Sequence, residues 1–267
     1  MLWDALWGSG SSNISKMSHV YPGNFARFYD TIYHTLRDGV DNDFFLHQIK
    51  QAKGQVLEIG AGTGRFFTEA LHAEADIYGI DISPAMIEIL RGKLAEDQQY
   101  RISEQSMVDF EFPFQFDLIV APFRVFMHIL EKEDQLRALD NIYHHLRPGG
   151  RFIFDTFVPD LNQLIEGIND VTDFEGEYEP GKWLRRRVTT RPDLINQLIH
   201  IEFHLEWEEV GHRMEEKWAL PLRFFFRYEL EHLIERSPFD NYQILGDYAG
   251  NQLDKNSKEF ILVCDKV

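Results

Sequence analysis

A single cysteine, Cys264, stands in 267 residues. It excludes an intramolecular disulfide framework and fits a reducing compartment, so a cytoplasmic location is expected. Positive charge is also scarce: 27 Lys and Arg face 44 Asp and Glu, for a formal net charge of −17. A chain of that sign repels a phosphate backbone. The one basic cluster, Arg185-Arg186-Arg187, is too short to reverse the field, so no nucleic-acid partner is expected. No apolar run approaches the ~20 residues of a membrane span. The segment Met1–Met17 lacks the basic and then apolar stretches of a secretory signal, and Gly8-Ser9-Gly10-Ser11-Ser12 reads as flexible lead-in. No fixed-period repeat points to a solenoid.

What the chain does contain is alternation. Val56-Leu57-Glu58-Ile59 is a short buried-strand pattern ending in glycines, and Arg65–Ala73 then carries Phe66, Phe67, Ala70 and Leu71 at helical spacing. Asp76–Ile80 reads as a second strand, and Ser83-Pro84 supplies an N-cap and a first-turn proline for a helix reaching about Ala95. A weaker strand at Ile102 and a clear one at Phe116–Val120 follow. The helix Glu133–Leu146 stops at Pro148-Gly149-Gly150, before a fifth strand, Arg151–Asp155. Strands separated by helices require right-handed crossovers, hence an α/β fold with a mainly parallel sheet covered on both faces. Ligands of such a sheet bind at the carboxyl ends of its strands.

After Phe157 the period changes to two. Ile199, Ile201, Phe203, Leu205 and Trp207 alternate with polar residues, and Arg185–Thr190 and Arg213–Ala219 read as antiparallel neighbours, with turns near Pro192-Asp193 and Gly211. A helix at Tyr228–Arg236 and strands at Tyr242–Leu245 and Glu259–Cys264 close the chain. Two aromatic-rich helices, Asn24–Leu36 and Asp41–Gln51, open it.

Glu58-Ile59-Gly60-Ala61-Gly62-Thr63-Gly64 is the most informative stretch. Glycines at a strand-to-helix turn let backbone approach a ligand and adopt positive φ without steric cost. A dinucleotide G-x-G-x-x-G fails, because the last position is Arg65 in one frame and Phe67 in the other; a P-loop fails because Arg65-Phe66 follows Gly64. Asp81 ends the second strand, where a carboxylate can accept from both hydroxyls of a ribose.

The E-x-G-x-G-x-G strand end, followed by Tyr78-Gly79-Ile80-Asp81-Ile82-Ser83-Pro84-Ala85-Met86, resembles the first two motifs of class I S-adenosylmethionine-dependent methyltransferases. The likeness covers about Tyr21 to Phe157. It implies a Rossmann-like, seven-stranded, mainly parallel sheet with helices on both faces and an inserted small antiparallel β meander. The organisation it suggests is a flexible lead-in (1–20), an S-adenosylmethionine-binding core with an N-terminal helical lid (21–160), an inserted substrate-lid region (161–227) and a completing helix and strands (228–267).

The resemblance also implies site residues. Glu58, Gly60, Ala61 and Gly62 pass the methionine end of the cofactor, Asp81 holds the ribose, and Ile82 and Met86 flank the adenine or else belong to the helix core. A third motif departs from the family pattern: Gln105-Ser106-Met107-Val108-Asp109-Phe110 carries Ser106 where relatives have an acid. The adenine amino group then falls to Ser106 or Asp109, beside Met107. Ala121 closes the cofactor set at the fourth strand. Beyond it, Pro122-Phe123-Arg124-Val125-Phe126-Met127-His128 is similar to small-molecule N-methyltransferases, among them aminosugar N,N-dimethyltransferases, and His128 occupies the place of their histidine. His128 is a candidate base or a packing residue.

Tyr21, Tyr29 and Tyr33 resemble the family's N-terminal lid; a tyrosine face attracts a sulfonium, and Tyr33 is the second catalytic candidate. Arg124 and Arg223 are substrate candidates, with Glu pairing the competing outcome for Arg223. His200-x-Glu202-x-His204 reads as a wet sheet face and no metal is expected. The expected activity is methyl transfer from S-adenosylmethionine to a small molecule, an amine before a hydroxyl, by a monomer or homodimer without a membrane partner. A hydroxyl-methylating enzyme, an aminopropyltransferase-like enzyme and a non-catalytic cofactor-binding subunit are the alternatives.

Overall fold

A computed structural model describes residues 20–36 and 39–267. The expected lead-in, save its last residue, lies outside them. Helices α1 (Gly23–Leu36) and α2 (Val40–Gln51) lead into β1 (Val56–Ile59), all four residues of which are buried. Then come α3 (Phe67–His72), β2 (Ile77–Asp81), α4 (Pro84–Lys93), β3 (Ile102–Glu104), β4 (Phe116–Ala121), α5 (Lys132–His145) and β5 (Leu146–Phe157). Ser83 caps α4 as its spacing predicts: its hydroxyl accepts from the Met86 N–H at 3.4 Å, and Pro84 starts the first turn.

β1 pairs in parallel with both β2 and β4, and the chain's last strands, β10 (Asn241–Leu245) and β11 (Glu259–Asp265), extend the sheet beyond β5 with antiparallel pairings. The order is β10-β11-β5-β4-β1-β2-β3. Both faces are covered, and the pleat decides which residue goes where. Leu57, Ile119, Phe152 and Phe154 join a core with Leu139 and Ile142 of α5 and with Leu230 and Ile234 of α7 (Arg227–Glu235). Val56, Val120 and Ile153 turn to the other core, with Ile49, Phe67 and Leu90. The expected seven-stranded α/β sheet is present. Among the described residues no helix is long and apolar enough to cross a membrane.

The inserted meander has four strands: β6 (Ile168–Glu179), β7 (Lys182–Asp193), β8 (Leu198–Glu209) and β9 (His212–Arg223). A short helix, α6 (Leu161–Glu166), leads into it, capped by the Asp160 carboxylate. Only three strands carried a sequence signal. β6 is an acidic edge strand with few buried positions, so it shows no apolar alternation; cross-strand charge supplies its partner. Asp170 pairs with Arg187 and Asp173 with Arg186, while Glu206 takes Arg185 and Arg213, so the basic cluster is neutralised within the sheet. β5 also starts earlier than its apolar run. Pro148-Gly149-Gly150 belongs to the strand because Gly149 donates to the Lys266 carbonyl and Lys266 to that of Gly150, contacts made by distant chain.

The meander packs on α1 through a third core, in which Phe25, Phe28 and Ile32 meet Phe174, Leu184, Leu205, Trp207, Trp218 and Leu220. Burying those three α1 side chains stabilises the contact by roughly 1.5–3 kcal/mol each. Helix and meander therefore share one apolar core. Along β8 the alternate residues His200, Glu202 and His204 oppose the apolar row, and the His204 Nδ1 accepts from Arg187 at 2.7 Å. Among the described residues no group of His, Cys, Asp or Glu is arranged to hold a metal ion.

Candidate functional site

The turn after β1 is built by its glycines. The N–H groups of Gly60 and Ala61 donate to the Ile80 carbonyl at 2.8 and 3.0 Å, which folds the turn over the end of β2. Gly60 has φ +72°, and a Cβ there would stand 2.4 Å from Val125 Cγ2. Thus the turn after β1 lies directly against the segment after β4. Gly60→Ala adds a clash to a strained φ; the expected loss is about 1–3 kcal/mol of stability together with cofactor binding, read by thermal denaturation and calorimetry.

Asp81, at the end of β2, links two of these loops. One carboxylate oxygen accepts from the Gly62 N–H and the other from the Ser83 N–H, both at 2.8 Å. Burial raises its pKa, and the backbone donors partly offset this. Glu58, two residues before Gly60, is 1% exposed, and its Oε2 has no hydrogen-bond partner. Burial pushes its carboxyl well above the ordinary range, against the pull of Arg65. An acid buried this way, with one oxygen unpartnered, suits a cationic group.

Ile82 and Met86 part company: Ile82 is 38% exposed, whereas Met86 is 2% exposed. The Ser106 hydroxyl accepts from the Val108 N–H at 3.2 Å in a local turn, Met107 is buried, and Asp109 is exposed. Asp109 lines a groove of about 900 Å³ against α5 with Arg137 and His144, bordered by none of the glycines. Ala121 is fully buried at the end of β4.

After β4, Phe123 and Arg124 both adopt positive φ, +64° and +66°, an uncommon state for residues with a Cβ. The Arg124 N–H donates to Asp155 at 3.3 Å, and its guanidinium donates to Glu259 at 2.8 Å. A short 3₁₀ turn, Val125–His128, follows, with Phe126 and Met127 buried and His128 half-buried. Arg223 donates to Glu229 at 3.1 Å and to the Leu130 and Asn196 carbonyls, tying the end of β9 to α7. Both arginines read as substrate candidates are thus engaged in ion pairs.

Above the turn lie the tyrosines. Tyr21 meets Tyr29 at 5.8 Å between ring centroids, Tyr29 meets Tyr33 at 4.4 Å, and Tyr33 meets Phe123 at 5.3 Å. Trp218 of β9 covers Tyr21 at 4.3 Å. Burial, chiefly, pushes the Tyr21 hydroxyl upward, so it stays protonated. Arg186, only 4% exposed, reaches in from β7; it donates to the Tyr33 hydroxyl at 3.2 Å and forks onto Asp173. Nothing in the local sequence singles out Arg186 from its two neighbours.

The comparisons agree with this geometry. Residues 56–150 match the family described as methyltransferase domain. An uncharacterized methyltransferase of Bacillus anthracis is 33% identical over 166 residues, covering 61% of this chain and 76% of that protein. The chain belongs to the class I S-adenosylmethionine-dependent methyltransferases. As such an enzyme it uses S-adenosylmethionine. Solved methyltransferases share its fold. An S-adenosylmethionine-dependent methyltransferase from Clostridium acetobutylicum superposes with a TM-score of 0.70 at 18% identity, covering 91% of this chain and 97% of that one. The sugar N-methyltransferase KedS8 from Streptoalloteichus superposes with a TM-score of 0.71 at 15% identity, covering 96% and 98%. The methyltransferase thus keeps its glycine turn, Glu58 and Asp81 at one end of the sheet, under a roof made by α1 and the meander.

Proposed function

We propose that the methyltransferase methylates an amine nitrogen of a small molecule, with His128 as the base. The observation that carries this reading is the contact between Val125 and Gly60, because the turn that packs on the glycines also holds His128. An imidazole, able to take a proton, then lies beside the methyl donor. S-adenosylmethionine supplies, when bound, an electrophilic methyl on a sulfonium, open to in-line attack.

In this reading Gly60, Ala61 and Gly62 admit the methionine end, and Glu58 faces its ammonium. Asp81 accepts from the ribose hydroxyls, Ile82 offers the adenine its exposed face, and Met86 backs that face from the core. Ser106 and Met107 border the adenine rim, and Ala121 the floor beneath it, while Asp109, turned to the groove against α5, is left out of the set. Tyr21 and Tyr29 roof the sulfonium and exclude water. Tyr33, its oxygen already accepting from Arg186, has its own proton to donate to the acceptor. His128 takes the proton that the nitrogen sheds on methylation. Alignment supplies much of the acceleration, up to ~7–11 kcal/mol. A net charge of −17 fits a small acceptor better than a nucleic acid. KedS8, of the same fold, is described as a sugar N-methyltransferase.

The test is turnover with matched amino and hydroxyl acceptors, such as an aminosugar and the sugar with a hydroxyl in place of its amine, read by product mass. Methylation of the amine is expected, with a rate that rises with pH as the free amine loses its proton. His128→Ala should retain cofactor affinity and lower kcat by roughly 10²-fold. Methylation of hydroxyls alone would overturn the amine assignment; undiminished turnover by the variant across pH would remove the base.

A further inference from the structure

One carboxylate fastens the roof to the cradle. Asp30 lies on α1 between Tyr29 and Tyr33. It accepts from the Thr63 hydroxyl at 2.6 Å with one oxygen and from the Lys93 ammonium at 2.6 Å with the other. Lys93, the last residue of α4, also donates to the Thr63 carbonyl at 2.8 Å. Thr63 is buried at the centre of the glycine turn, between Gly62 and Gly64. Asp30 therefore closes a ring through three elements: the roof helix, the turn after β1 and the end of α4. A second, weaker fastening lies nearby, where the buried Ser83 hydroxyl donates to the Tyr21 carbonyl at 3.2 Å.

The opposite side of α1 is held quite differently. Phe25, Phe28 and Ile32 are sunk in the meander core, and Arg186 grips Tyr33. Asn24 and Arg27 add side-chain bonds to Glu216 and Glu209 of the meander. The helix is thus anchored to the meander by an apolar core and to the cradle by a few polar groups. Asp30 and Lys93 are both about one-third exposed, within reach of screening by salt. If α1 lifts, the joint that yields is at Asp30, and the meander goes with the helix.

We propose that Asp30 is a positioning residue that, through Thr63, holds the roof shut on the cofactor and sets the rate at which the demethylated cofactor leaves. This rests on the cofactor lying at the glycine turn, not on the nature of the acceptor. A consequence is that cofactor occupancy is felt in the meander, which packs on α1 and on the Tyr21 ring before it.

The experiment measures release of S-adenosylhomocysteine by stopped-flow displacement from wild type, D30N, T63V and T63S, with hydrogen exchange of α1 and the meander followed with and without it. D30N and T63V should each speed release by about tenfold, the scale of a lost hydrogen bond to a charged group. T63S, which keeps the hydroxyl, should return the rate toward wild type. Release from wild type should accelerate with salt, and that acceleration should be lost in D30N, a readout that a purely structural role would leave unmoved. The ligand should slow exchange in β7 to β9 of wild type and do so less in D30N. Rates within a factor of about two of wild type in both D30N and T63V would overturn the proposal. So would an unchanged salt dependence in D30N. Should D30N fail to fold, T63V alone decides. If wild type takes up no S-adenosylhomocysteine by calorimetry, it is the cofactor site that fails, and the latch falls with it.

Discussion

Replacing Asp81 with alanine lowers the affinity for S-adenosylmethionine by at least about a hundredfold, the scale of two lost hydrogen bonds to a charged acceptor. Its side chain bridges the two loops bordering the cradle, accepting from the N–H groups of Gly62 and Ser83. The variant therefore loses the staple that sets the loops and, with it, the acceptor proposed for the sugar. Asn at this position keeps only one acceptor oxygen for the two backbone donors, so D81N should fall between wild type and alanine. Titration calorimetry with S-adenosylmethionine and S-adenosylhomocysteine checks this, with circular dichroism to confirm that the sheet is intact. Unchanged affinity in D81A would remove the ribose assignment.

Glu58→Gln should produce opposite effects on stability and on binding. The carboxyl is buried with one oxygen unpartnered, and burial raises its pKa above that of the unfolded chain. The sign follows from proton linkage. Below the unfolded value both states are protonated and nothing is lost. As pH rises from there toward the folded value, the unfolded chain ionises first, and stability falls. The neutral amide removes that loss, so the stability of E58Q relative to wild type should be higher near neutral pH than in acid. For a chain of this size each kcal/mol moves Tm by about 2–4 °C.

If Glu58 faces the cofactor ammonium as proposed, cofactor binding should weaken by about tenfold or more, because that charge is gone. In wild type a cation drawn to Glu58 favours its ionised form, so binding should release a proton. Binding enthalpies measured in buffers of different ionisation heat should then differ for wild type and converge for E58Q. A variant whose stability relative to wild type is no higher at neutral pH than in acid, with equal affinity, would show that Glu58 is a passive core residue.

The distribution of strain and burial between these two acids and the glycines was partly legible before folding. Gly60, Gly62 and Gly64 all adopt positive φ, and a glycine requirement of that kind is written into the chain locally. The same holds for the Ser83-Pro84 helix start and for the apolar rows of the central strands. By contrast, the ion pairs of Arg124 and Arg223 join residues that no local period relates, so neither carboxylate partner could be assigned from spacing. Arg185-Arg186-Arg187 stands out in the sequence only as a short basic cluster. Its middle member is buried against Tyr33, and all three are neutralised by acids of neighbouring strands.

The amino-acid sequence by itself determined the alternation of strands and helices, the glycine turn and the acid closing the second strand, because each is a matter of neighbours within a few residues. Tertiary structure alone decided which residues face the cradle from elsewhere: Trp218 from β9, Arg186 from β7, Asp30 from α1 and Val125 from beyond β4. These meet through sheet registers and a shared apolar core, and chain closure over such separations leaves no periodic trace. A strand as acidic as β6 is a strand only because the arginines beside it are there to pair with it.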